Sequence, residues 1–163
     1  MDMVTLGRTG ITVNKNGFGA LPIQRVSREE AARLLRMALD AGITFFDTAR
    51  FYTDSEEKIG YALSDRRDAF YLATKTAATT AEGFWSDLET SLRNLKTDYI
   101  DIYQFHNPAF CPKPGDGSGL YEAMLEANPE DSRAKMLLEN FDAVLDRPND
   151  QDLEALTNWA RSL

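Results

Sequence analysis

Apolar residues along this chain fall into two alternating patterns: short unbroken runs, and longer stretches in which they recur every three or four positions. The first pattern reads as buried strands and the second as amphipathic helices. The chain opens with VTLGRTGITV, residues 4–13, in which apolar residues flank a polar Gly-Arg-Thr-Gly turn and predict a β-hairpin. GFGALPI, residues 17–23, predicts a first buried strand. Ser27 to Glu30 has the form of a capping box, and Ala31, Leu34, Leu35 and Ala38 behind it share one helical face that ends at Ala41-Gly42. ITFFDTA, residues 43–49, is β-branched and aromatic and predicts a second strand.

The alternation then repeats. Residues 54–64 combine helix-start chemistry with Ile59, Ala62 and Leu63, and residues 70–76, FYLATKT, predict a third strand. A third helix follows over 79–95, with Trp85, Leu88, Leu92 and Leu95 on one stripe. YIDIYQFH, residues 99–106, predicts a fourth strand, residues 108–119 a loop rich in Pro and Gly, and residues 120–127 the start of a fourth helix. Strands and helices alternating at intervals of roughly 25–30 residues are the βαβ signature, and right-handed crossovers make the sheet parallel. Four such units make half of a (β/α)₈ barrel, which needs about 250 residues when complete. The expected fold is therefore α/β: a partial TIM barrel, a (βα)₄ half-barrel with an N-terminal hairpin.

Beyond residue 127 the pattern changes. Met136, Leu137, Phe141, Val144 and Leu145 lie near helical spacing, residues 146–150 break it, and Leu153, Leu156, Trp159 and Ala160 share a further face. This reads as a C-terminal helical hairpin over 128–163, within one domain spanning 1–163.

Composition narrows the functions open to such a fold. The 163 residues carry a net charge of −8, which argues against nucleic acid or an anionic membrane as partner. No run approaches the roughly 20 apolar residues that span a bilayer, and the N-terminus has no apolar signal segment, so a cytoplasmic location is expected. One cysteine, Cys111, and one histidine, His106, leave no disulfide and no Cys/His cluster for a metal.

In parallel α/β barrels function collects where strands end and βα loops begin. There the second strand offers Asp47, with Tyr52 in the loop after it; the third offers Lys75 and the fourth His106. Alone, each has an ordinary structural reading as a loop acid, a rim aromatic, a strand-tip lysine or a satisfied histidine. Together, at consecutive strand ends, they make a coherent proton-transfer device. A tyrosine hydroxyl, with a reference pKa near 10, is a poor acid at neutral pH unless an ammonium favours its phenolate. A paired aspartate would keep that ammonium charged, and an imidazole can donate a hydrogen bond to a carbonyl oxygen. The chain has no redox group of its own, so hydride would have to come from a cofactor. Phe51, Phe110 and the loop 108–119 border the expected pocket, where Cys111 has no base of its own.

These segments resemble a known family. GFGALPI, GITFFDTARFYTDSEEKIGYAL, YLATKT and SLRNLKTDYIDIYQFHNP are similar to the aldo/keto reductases, over residues 1 to about 127. The resemblance implies NADP(H)-dependent reduction of a small-molecule aldehyde or ketone, without a metal. It makes Tyr52 the general acid, lets Lys75 and Asp47 tune it, and gives His106 the carbonyl. It also implies cofactor contacts at Gly19, Ala20, Asp47 and Asn107. Two departures stand beside it: Asn16 where the first strand usually carries an apolar residue, and no recognisable fifth to eighth unit. An inactive truncated or engineered half-barrel with a structural or interaction role is thus the alternative; its open sheet edges call either for a homodimer, which would complete eight strands, or for the C-terminal helical hairpin to fold over the open face, which the amphipathic pattern of residues 131–162 favours.

Overall fold

The computed structural model describes residues 2–7 and 9–127. The expected C-terminal helical hairpin lies outside the described residues.

The predicted hairpin forms from β1 (Met3–Thr5) and β2 (Thr12–Asn14), antiparallel with Met3 opposite Asn14. Its turn needs Gly10 at a φ of 74°, open to glycine at no steric cost. Strand β3 is only Phe18–Gly19, shorter than the run 17–23 suggests. Pro22 is the reason: it has no N–H to give a ladder and its fixed φ suits the 3₁₀ turn over Leu21–Arg25. Helix α1 (Arg28–Asp40) starts as predicted, with Ser27 Oγ accepting the Glu30 N–H at 3.1 Å. The Glu30 carboxylate does not return to the cap, pairing instead with Arg33 at 2.7 Å.

Three further units follow: β4 (Phe45–Asp47), α2 (Ser55–Leu63), β5 (Tyr71–Thr76), α3 (Ala81–Leu95), β6 (Ile102–Phe105) and α4 (Leu120–Ala127). Strand β6 begins later than the apolar run from 99, because the Asp101 carboxylate takes the Leu72 N–H at 2.8 Å where a ladder carbonyl would otherwise serve. The four longer-range strands lie in the order β3-β4-β5-β6, every pair parallel. Sequential parallel strands joined by helices form a partial (β/α)₈ barrel, as the strand–helix alternation implies.

Because side chains alternate across a strand, register decides which residues meet. Phe46 beside Leu72, Thr74 beside Tyr103 and Thr76 beside Phe105 face the helices. Asp47, Ala73, Lys75, Gln104 and His106 face the other way. The core joins Phe46, Leu72, Leu35, Leu39, Ile59 and Leu63, between the sheet and helices α1 and α2. A second cluster, Phe84, Leu120 and Ala123, sits between α3 and α4. On α3 the fully buried positions are Phe84, Ser91 and Leu95, so of the Trp85/Leu88/Leu92/Leu95 stripe read from the sequence Leu95 is buried, while Trp85 and Leu88 are partly buried at the edge of the inward face. Helices α2 and α3 cross closely at Gly60, where a Cβ would stand 2.2 Å from Asn94 O. Among the described residues no helix is long and apolar enough to cross a membrane.

Candidate functional site

The four residues singled out at strand ends are gathered at one rim of the sheet. Asp47 closes β4 and Lys75 is the penultimate residue of β5, on the same face. Lys75 Nζ donates to Asp47 Oδ1 at 2.5 Å and to Thr48 O at 2.7 Å. The ammonium is 15% exposed and the carboxylate 32%, so the pair is partly withdrawn from water. Lys75 Nζ lies 5.5 Å from the centre of the Tyr52 ring, and the Tyr52 ring meets His106 edge-on, centroids 5.5 Å apart at 85°. His106 follows β6 directly, its N–H donated to Thr76 O at 2.7 Å. Its Nδ1 is enclosed and has no hydrogen-bond partner among the described residues. A phenol, a paired ammonium and an imidazole around one point can deliver a proton to an oxygen and hold the charge left behind.

The loop carrying Tyr52 is built rather than loose. Tyr52 N–H donates to Ala49 O at 3.0 Å, and Ser55 N–H to Tyr52 O at 2.7 Å. Thr53 takes a left-handed φ of 40° to make the bend into α2. Below the loop, the buried hydroxyls of Thr48 and Ser55 share a 2.9 Å hydrogen bond, and Ser55 Oγ donates to Ala20 O at 3.1 Å. Ala20 is fully buried, and its N–H is given to Asp47 O at 2.8 Å. Gly19, paired with Asp47 in register, is exposed, and a Cβ placed on it would meet nothing within 4 Å. Asn107 is exposed, with a left-handed φ of 49°, immediately after His106.

The rim is apolar on one side. Phe51 is 65% exposed and its ring lies 6.3 Å from His106, while Phe110 is exposed on the following loop. Cys111 is half-buried, and burial pushes its thiol up, with Lys113 opposing. That is the wrong direction for a nucleophile.

Three residues with no part in the sequence reading support the site. Lys58 is buried, with Nζ donating to Ile23 O and Val26 O, both at 2.9 Å, and paired with Asp54 at 2.8 Å. Glu56 is 1% exposed and accepts from Thr74 Oγ1 at 2.7 Å and from Asn94 Nδ2 at 3.3 Å. Nearby, the Tyr103 hydroxyl is enclosed beside Thr76, with no well-formed hydrogen bond among the described residues, and burial raises its pKa far above that of an ordinary phenol, with Thr76 opposing. The available signal was positional: Glu56 shares its helical face with Ile59 and Leu63, and a charge on an apolar stripe asks for a partner.

The family model described as the aldo/keto reductase family matches residues 15–147. That match extends past residue 127, where the likeness read from the segments stops. The aldo-keto reductase YhdN of Bacillus subtilis is 35% identical over 127 residues, covering 66% of this chain and 38% of the relative. L-galactose dehydrogenase of Arabidopsis thaliana is 34% identical over 125 residues, 68% of this chain and 39% of the relative. The chain thus spans about two-fifths of the length of these curated relatives. Among solved structures, an aldo-keto reductase of Bacillus halodurans in its holo form superposes with a TM-score of 0.69 at 30% identity, over 80% of this chain and 47% of that one. One from Klebsiella pneumoniae, in complex with NADPH, gives 0.64 at 30% identity, over 73% and 43%.

Proposed function

Because this chain belongs to the aldo/keto reductase family, we propose that it is an oxidoreductase in which Tyr52 protonates the oxygen of a small aldehyde or ketone during NADP(H)-dependent reduction. The observation that carries the reading is the single constellation of Tyr52, the Lys75–Asp47 pair and His106. The relative solved with NADPH supports the choice of cofactor. The residues present fit its reacting end: the ground over Gly19 is open beside Asp47, with Ala20 behind it and Asn107 at the rim. Asp47, Asn107 and the Gly19 backbone would hold that end, with Ala20 buried behind them as its floor. When bound, the reduced nicotinamide supplies hydride to the carbonyl carbon.

The chain's own residues do the rest. His106 hydrogen-bonds the carbonyl oxygen and turns it toward the phenol. Tyr52 gives up its O–H proton to that oxygen, so the carbonyl becomes an alcohol and the tyrosine a phenolate. Lys75, steadied by Asp47 and Thr48 O, lies beside the ring and balances the new negative charge. A proton from solvent then restores the phenol. The exposed ring of Phe51 offers the substrate an apolar wall.

The test pairs binding with turnover. NADPH fluorescence should change on titration with the protein, and Tyr52→Phe should keep that change while lowering kcat for carbonyl reduction by about 10²–10⁴-fold. Turnover that survives Tyr52→Phe would remove Tyr52 from the role of acid.

A further inference from the structure

The layer between the sheet and its helices is apolar beneath β4 and polar beneath β5. Thr74 and Thr76 are both 0% exposed, and both point at the helices. Thr76 Oγ1 donates to Asp87 of α3 at 2.5 Å, and Thr74 Oγ1 donates to Glu56 of α2 at 2.7 Å. Glu56 is the junction. Its second oxygen takes Asn94 Nδ2 of α3 at 3.3 Å and lies 3.6 Å from Arg50 Nη1. One buried carboxylate therefore joins α2, β5, α3 and the loop between β4 and α2.

Two of these residues flank the proposed proton donor in the sequence. Tyr52 lies between Arg50 and Glu56 in the sequence, so the Arg50–Glu56 pair closes the loop that carries it. Thr74 is the residue before Lys75, and Arg50 N–H donates to Lys75 O at 3.0 Å. The loop is thereby tied to β5 by backbone bonds from Thr48 N–H to Ala73 O and Arg50 N–H to Lys75 O, by Lys75 Nζ to Thr48 O, and, on the face of the sheet opposite the Lys75–Asp47 pair, through Glu56. A fully buried charge is a poor way to gain stability, because its desolvation offsets most of what its partners return. What it supplies is a single geometry: hydrogen-bond donors from β5 and α3 and a guanidinium from the loop converge on one carboxylate.

We propose that Glu56 is a positioning residue, which sets the Tyr52 loop against Lys75 on β5 and His106 at the end of β6. The proposal rests on the reading of Tyr52 as the proton donor, and a probe that needs no turnover can test it. His106 is the only histidine in the chain, so its imidazole C–H proton signals are unambiguous. The Tyr52 ring, edge-on at 5.5 Å, contributes a ring-current shift to them. Proton NMR spectra of the full chain are compared at one fixed pH, on the alkaline side of the usual imidazole range. Tyr52→Leu marks the spectrum without that ring.

Glu56→Gln, which keeps the side chain's shape but loses its charge, should move the His106 signals toward the Tyr52→Leu positions. Arg50→Gln, at the partly exposed rim of the network, should move them in the same direction by a smaller amount. In the reduction assay Glu56→Gln should lower kcat about tenfold while the carbonyl KM changes less than about threefold, the pattern of a displaced acid rather than of lost substrate binding. Unmoved His106 signals in the folded variants overturn the proposal, even if their thermal midpoints fall, because Glu56 would then only add stability. Moved signals in a protein that never turns over would uphold the positioning role and sink the reductase reading instead.

Discussion

At the scale of single residues, the site was legible where chemistry stands at a strand end and illegible where it is buried beneath one. Asp47, Lys75 and His106 each terminate an apolar run, and a polar residue there stands out. Glu56 and Lys58 lie in a segment that reads as an ordinary helix start, where acids suit the dipole and a lysine suits solvent. The structure uses Lys58 differently, since its ammonium bridges Ile23 O, Val26 O and Asp54 and ties the segment after β3 to α2. Lys58→Met keeps the length and removes the donors, leaving Val26 O with no side-chain donor and Ile23 O with only the Val26 N–H. The expected cost is about 2 kcal/mol, from buried acceptors left without partners. Urea denaturation measures it, and a loss well under 1 kcal/mol would mean that water replaces the ammonium at these carbonyls.

At the scale of elements, periodicity located the α-helices and strands of the described residues but misplaced the ends of some strands, for reasons that are local and physical. Pro22 turns β3 into a 3₁₀ segment, and the Asp101 side chain replaces the first rung of β6. The inward face of α3 was misread in part, because polar groups share it with Leu95: Ser91 is buried and Asn94 donates to Glu56. The α2–α3 crossing depends on one missing atom. A Cβ at Gly60 would lie 2.2 Å from Asn94 O and 2.7 Å from Leu95 C, both backbone, so neither neighbour can rotate away. Gly60→Ala is therefore expected to destabilise the fold by about 2–3 kcal/mol, despite the helix propensity that alanine adds. Since Asn94 also donates to Glu56, pushing the helices apart should disturb the same network. Equal denaturation midpoints for Gly60→Ala and the unmodified protein would contradict the crossing.

At the scale of the whole molecule, the partial barrel was legible because each strand pairs with the next one in sequence, so that local alternation already contains the topology. What alternation does not contain is how unevenly the structure is held. Strand β5 has a parallel neighbour on each side, and Leu72, Ala73, Thr74 and Thr76 along it are fully buried. The hairpin has less support, since only β2 reaches the interior, through Val13 and Asn14. All of β1 is exposed, Met3 at 57% and Val4 at 42%, and the hairpin pairs only with itself. Isolated two-stranded hairpins are marginal in water, whereas a central strand opens only with the domain around it. Amide hydrogen exchange should therefore spread over a wide range, with the amides of Leu72 and Thr74 exchanging near the rate set by global unfolding. Those of Val4 and Val13 should exchange faster by about 10²-fold or more, since a local opening cheaper by about 3 kcal/mol is enough for that ratio. The Arg50 N–H, bonded to Lys75 O, reports on the loop that carries Tyr52. It should follow β5 in the unmodified protein and drift toward the hairpin's rate in Glu56→Gln. Equal protection of Val4 and Leu72 would show instead that the hairpin and the sheet open as one unit.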